Sequence, residues 1–159
     1  MKETVCEVRW QGPTAWADRE SLRNPGHVLY AIYGVHHQYG ANVLLYLGMT
    51  ESTVAERLRA HPWIGGEYDP VTIKVASIAV HAGIDEWWQA WDKTPDDHIY
   101  SRAPEDVIRA VETLLIYAHQ PAYNTLGKGN LPYQKLFRVF NTGRCGTLLP
   151  EVSHAYFAE

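Results

Sequence analysis

Cysteine is scarce in this chain of 159 residues: Cys6 and Cys145 are the only two, and they lie far apart. That excludes a disulfide framework and a cysteine-built zinc site, so both are read as free thiols. Long apolar runs are missing too, and no transmembrane helix is expected. Residues 1–7 lack the apolar core of a signal peptide, which points to a cytoplasmic protein without a membrane partner. Positive charge is in deficit, with 14 Lys and Arg against 18 Asp and Glu and a net charge of −4. A broadly basic nucleic-acid coat protein is excluded, while a local basic face stays open. Phenylalanine is rare at three, but ten Tyr and six Trp replace it, and 46% of the chain is hydrophobic. That supports one packed domain with rings to spare for a core or a stacking surface.

Punctuation and periodicity divide the chain. Residues 1–26 read as an N-terminal extension packed on the domain, with turns at Gly12-Pro13 and Asn24-Pro25-Gly26 around a short helix near Trp16 to Leu22. Val28 to Val35 and Val43 to Leu47 are β-prone runs joined by a Gly-containing loop, a hairpin pattern. A helix capped by Ser52 or Thr53 follows and stops at Pro62. Val71 to Val80 alternates as a strand, and Ile84 to Trp91 reads as a short helix. Pro104-Glu105-Asp106 opens a longer helix, which runs to about Ala118 with Val107, Ile108, Val111, Leu114 and Leu115 on its apolar side. Leu136 to Phe140 is a last strand, Asn141-Thr142-Gly143 a turn, and the tail looks irregular. The order β-β-α-β-α-β predicts a small α+β domain with a mixed or antiparallel sheet and a β-hairpin flanked by helices. Within that single domain, residues 27–126 form the core and 127–159 a C-terminal extension with a possible hairpin.

Charge is unevenly spread. Seven acids fall between Ile84 and Asp106, whereas His119 to Leu149 carries Lys128, Lys135, Arg138 and Arg144 and no acid. Those four cations are the candidate nucleic-acid contacts, weighed equally against a solvated loop. His36 and His37 look like a metal pair, but neighbours on a strand end point opposite ways, so a solvated loop is expected there. His81, His98, His119 and His154 carry no spacing signal. Trp87, Trp88 and Trp91 read as core or lid.

Four segments carry chemistry. Tyr30 lies on the first hairpin strand and Tyr46 on the second, which ends at Gly48 and Thr50. Arg57 and His61 are four apart and share a helix face. Packing that helix back on the hairpin brings the face near both phenols. Glu112 stands among Val111, Leu114, Leu115 and Ile116, where a carboxylate is costly unless paired or bound to a cation. Phenols, guanidinium, imidazole and a lone carboxylate make a kit for phosphodiester hydrolysis.

In this order the motifs resemble the GIY-YIG nuclease superfamily. The first appears as Val28-Leu29-Tyr30 and the second as Tyr46-Leu47-Gly48 followed by Thr50. Arg57 and His61 match the helix pair, Glu112 the metal-binding acid, and Asn124 within Pro-Ala-Tyr-Asn the closing asparagine. The resemblance spans about Val28 to Asn124 and implies the GIY-YIG fold and a metal-dependent endonuclease hydrolysing DNA. It also implies one Mg²⁺ or Mn²⁺ on Glu112. By the same resemblance Tyr30 is general base or water-orienting phenol, and Tyr46 positions the phosphate or nucleophile. Gly48 allows close backbone approach where the helix begins, Arg57 steadies developing charge, and Asn124 holds the site by hydrogen bonds. Departures are a Val at position 28 in place of the motif Gly, a longer hairpin loop, and no Lys near the first Tyr. Activation therefore falls to His61, His36 or His37. Tyr33 offers a rival register to Tyr30. The competing function is a catalytically inactive module of this fold that binds nucleic acid or protein, and a third is a hydrolase of RNA or small nucleotides.

Overall fold

The computed structural model describes residues 3–24, 26–61, 70–91, 103–131 and 135–157. Among these residues six strands form one sheet: β1 (Thr4–Ala15), β2 (Val28–His36), β3 (Gly40–Thr50), β4 (Thr72–His81), β5 (Phe137–Gly143) and β6 (Glu151–Ser153). Their spatial order is β3-β2-β4-β1-β5-β6. All neighbours are antiparallel except β1 and β5, so the sheet is mixed and the chain is α+β. Among the described residues three α-helices accompany it: α1 (Val54–Leu58), α2 (Ile84–Trp91) and α3 (Glu105–His119).

The N-terminal extension is the main departure from the sequence reading. Thr4–Ala15 is an interior strand, paired with β4 on one side and β5 on the other. Its alternation is genuine, since Cys6, Val8 and Trp10 are all buried in the α3-side core. Charged Glu7 and Arg9 fill the intervening positions and disguise it. The Gly12-Pro13 signal read as a turn falls where the β1–β4 register shifts between Gln11 and Thr14, a place where a strand tolerates proline. Asn141-Thr142-Gly143 likewise continues β5 instead of turning, and the tail read as irregular supplies β6. The expected stop at Pro62, and His98, lie outside the described residues.

Strand alternation sorts the core into two layers. Leu29, Ala31, Tyr33 and Leu47 pack with Ile108, Val111, Leu114 and Leu115 of α3. Val28, Tyr30 and Ile32 pack on the opposite face with Val54 and Leu58 of α1. Tyr30 therefore faces α1, whereas Tyr33 faces α3. On the α1 side of the sheet farther along, Glu7 accepts hydrogen bonds from the Arg9 guanidinium, the Trp87 indole at 3.2 Å and the Thr142 hydroxyl at 2.9 Å. Trp87 stacks flat on Phe140 at 4.1 Å, which seats α2 and leaves Trp88 and Trp91 exposed.

Two histidines without a spacing signal are structural. His119 Nε2 accepts from the Leu149 amide, so its Nδ1 carries the hydrogen donated to the Leu115 carbonyl. His154 Nδ1 accepts from the Phe137 amide. Burial lowers the pKa of both from the usual 6.5. The unfolded chain then takes up protons near pH 6.5 while the native state does not. Stability is full above that pH and declines as pH falls below it, until the native imidazoles also protonate. Urea unfolding at pH 7.5 and pH 5.5 should show a lower midpoint at pH 5.5, and His119→Gln should flatten the difference. An equal difference in the variant would remove His119 as a cause.

Candidate active site at the β3 edge

β3 is an edge strand, and its outward backbone groups need partners. The chain after α3 supplies them. The amides of Ala122 and Tyr123 donate to the carbonyls of Leu44 and Leu45 at 3.1 and 2.7 Å. The Asn124 side chain then takes over, accepting from the Leu47 amide and donating to the Leu47 carbonyl, both at 2.9 Å. Glu112 completes the line by accepting from the Met49 amide at 3.0 Å. One strand edge thus gathers α3 and the segment behind it.

On the other face, α1 is short but well anchored. Thr53 and Glu56 form a capping box, so Thr53 is the cap. Asn24 accepts from the Val54 amide at 2.7 Å, and Leu22 accepts from Ala55. Thr50 bonds back to Ser52 and shapes the turn into α1. Although α1 ends at Leu58, the following turn continues through the His61 amide bonding to Leu58. His61 therefore still comes up beside Arg57 as the i,i+4 spacing predicts.

The predicted residues meet. The Tyr30 hydroxyl and His61 Nε2 are 3.0 Å apart in buried surroundings. The Tyr30 and Tyr46 rings stack at 5.9 Å, and Tyr46 lies 4.7 Å from the His61 ring. A cavity of about 770 Å³ opens in front of them, lined by Tyr46, Thr50, Arg57, Glu112 and Asn124 together with Arg109. Tyr30 and His61 form the layer behind Tyr46. Gly48 lies within β3, not at the helix start. A Cβ on it would come within 2.9 Å of the Tyr30 hydroxyl and 2.8 Å of the Tyr46 ring, so its missing side chain is what lets the two phenols close over the strand.

Charges in the site are set by burial first. Desolvation pushes the Tyr30 phenol well up, followed by the neighbouring Tyr46, and the Arg57 guanidinium opposes both. Desolvation, then Arg57, lowers His61, which leaves a neutral imidazole near pH 7. Glu112 is raised by desolvation, against the Met49 amide, Arg109 and Arg57. Contrast with Glu7 is instructive. Glu7 is buried and collects four side-chain donors, whereas Glu112 has the single Met49 amide among the described residues. An underserved carboxylate facing a polar cavity is suited to a hard divalent cation that keeps most of its waters. No group of three His, Cys, Asp or Glu side chains forms a metal cage among the described residues. A metal here would rest on Glu112 and water.

The C-terminal cations do not join the site as a group. Arg138 is engaged by Glu3 at 2.8 Å and Glu151 at 2.7 Å. Lys128 donates to the Pro121 carbonyl. Lys135 lines a separate groove between α3 and Phe137, and Arg144 is exposed beyond β5. His36 and His37 do not diverge, because the turn folds His37 back to stack on His36 at 4.5 Å. Both cysteines are free, with Cys6 buried.

Sequence reasoning missed Arg109 and Asn24. Arg109 stands three residues before Glu112 and so shares its helix face, a spacing visible in the sequence. It is bound to Glu105 and exposed at the cavity rim. Asn24 carried only a turn signal.

Gly48→Ala should lower thermal stability by about 1–3 kcal/mol, as expected when a packed site is overfilled. It should also change the near-ultraviolet dichroism of the tyrosines. A variant with wild-type melting and an unchanged tyrosine signal would disprove this packing account.

No family model matches the chain, and no curated protein or solved structure matches it either.

Proposed function

We propose that this protein is a metal-dependent endonuclease of the GIY-YIG type that hydrolyses DNA phosphodiester bonds. One observation carries the reading: Tyr46, Arg57, Glu112 and Asn124, distant in sequence, line one cavity with the Tyr30–His61 pair directly behind it. Pairing of the β3 edge accounts for where Asn124 and Glu112 sit, but not for Arg57 and the Tyr30–His61 pair, which come from the opposite side of the sheet.

The chain's own groups divide the work. His61 is neutral and its Nε2 faces the Tyr30 hydroxyl, so it can take the phenol's proton. The attacking water then gives its proton to the Tyr46 hydroxyl at the cavity wall as the water oxygen bonds to phosphorus, and Tyr46 passes its own proton back to the buried Tyr30. The bond from phosphorus to the departing deoxyribose oxygen breaks, and that oxygen leaves to be protonated from solvent. Burial makes a free Tyr30 phenolate costly, which favours concerted transfer over prior ionisation. Tyr46 and Arg57 hold the phosphate, with Arg57 placed to offset the charge that builds on its oxygens. A single Mg²⁺ or Mn²⁺ held by Glu112 supplies Lewis-acid neutralisation at the phosphate when bound. Asn124 keeps Leu47, and with it Tyr46 and Gly48, in register.

Plasmid nicking with Mg²⁺ tests the reading. Glu112→Ala should abolish cleavage while the protein stays folded, with melting lowered by no more than the loss of the Met49 amide's partner, about 1–3 kcal/mol. Cleavage by this variant at the wild-type rate would reject the metal assignment. DNA binding without nicking by the wild type would favour the inactive module instead. Arg57→Ala should lower kcat at least tenfold more than it weakens binding, and a loss confined to affinity would reduce Arg57 to a ground-state contact. Since His61 must be neutral, the acid limb of the kcat/KM profile should fall below pH 6.5 and vanish in His61→Ala.

A further inference from the structure

The tip of the β2–β3 hairpin displays aromatic rings in a place where packing does not call for them. Tyr39 is 69% exposed, yet its ring lies nearly parallel to His36 at 4.5 Å and 19°. His37 covers the same imidazole at 4.5 Å, and Tyr123 leans on it at 5.6 Å. His36 is the buried centre of the group, held by the amides of Gln38 and Tyr39 donating to its Nδ1. The stack is therefore fixed from beneath and open above.

Two further observations define its occupant. The platform is continuous with the cavity: Tyr123 bonds to Leu45 and precedes Asn124, which lines the cavity. In addition, the segments that build it carry no acid. None of the 18 carboxylate residues lies between Ser21 and Thr50 or between Thr113 and Pro150, the two stretches that build the hairpin and the strip along its outer edge. A cavity of about 240 Å³ beside Tyr39, lined by His119, Gln120 and Thr147 among others, has no acid in its wall. At the hairpin tip a polyanion meets no acid among the described residues and finds stacking rings, and it reaches Glu51 and Glu112 only in the cavity itself.

We infer that the Tyr39–His36–Tyr123 cluster is a stacking platform for an unpaired nucleobase of a nucleic-acid strand that runs from the β3-edge cavity to the hairpin tip. The inference rests on the proposed nucleic-acid reading of that cavity but not on cleavage. It implies that the strand is single or locally opened at this position, because a paired base keeps its faces in the duplex stack.

The test uses the full chain in EDTA, so that nothing is cut, with short single strands of DNA and of RNA that carry one 2-aminopurine walked along the sequence. Stacking quenches this base, so the wild type should quench it at one position and leave neighbouring positions bright. Tyr39→Phe should keep both quenching and affinity. Tyr39→Ala should lose the quenching and bind about tenfold more weakly, and because the side chain is exposed the variant should melt like wild type. Equal quenching and equal affinity in Tyr39→Ala would overturn the platform, as would the absence of binding to either strand by the wild type. Nicking of plasmid with Mg²⁺ is scored separately. Cleavage without a Tyr39 effect removes the platform alone, and a Tyr39 effect without cleavage removes the endonuclease alone.

Discussion

An edge strand must dispose of the hydrogen-bonding groups that no neighbouring strand will take, and the disposal of β3's edge organises this molecule. Leaving one such group buried and unpaired costs about 1–3 kcal/mol, comparable to a sizeable share of a domain's net stability. Here the groups are paired by the segment behind α3, by the Asn124 amide and by Glu112. Those partners are far away in sequence and chemically unlike one another. Because they all answer to one line of backbone, they are forced into one row. Tyr46 and Gly48 belong to that same strand, so the row and the phenols share a rigid reference.

Two carboxylates show how the fold distinguishes structure from candidate function. Glu7 is buried and surrounded by guanidinium, indole and hydroxyl donors, and its network ties β1, β5 and α2 together. Nothing is left for a ligand to satisfy. Glu112 is given one amide and then turned toward a cavity, and desolvation raises its pKa. Natural cores seldom leave an acid half-served unless something else completes it. The arginines divide in the same way. Arg9, Arg59 and Arg138 are committed to carboxylates of the scaffold, whereas Arg57 turns toward the phenols.

Much of this was legible in the sequence, and the failures have a common cause. The hairpin, the α3 apolar stripe and the site residues all carry local signals, namely alternation, 3.6-residue periodicity and motif spacing. β1 carried alternation too, but Glu7 and Arg9 occupy positions that look solvent-facing. Only the long-range partners Trp87 and Thr142 make Glu7 interior. Gly12-Pro13 reads as a turn because sequence cannot show that the neighbouring strand slips register there. Asn24 caps α1 from thirty residues away, a distance at which no capping pattern is recognisable. The stacking of His37 on His36 depends on the chain reversing immediately after a strand end, which overrides the alternation that would separate them.

The position of the site at an edge, and not on a face, follows from topology. Tyr30 and the residues of α1 belong to one side of the sheet, and α3 with Glu112 belongs to the other. Across an interior strand such as β4 these groups would be separated by backbone and by two layers of packed side chains. Only where the sheet stops can a side chain from the α3 side reach around to meet phenols on the α1 side. Glu112 does so by bonding to Met49, one residue beyond Gly48, over which the phenols close.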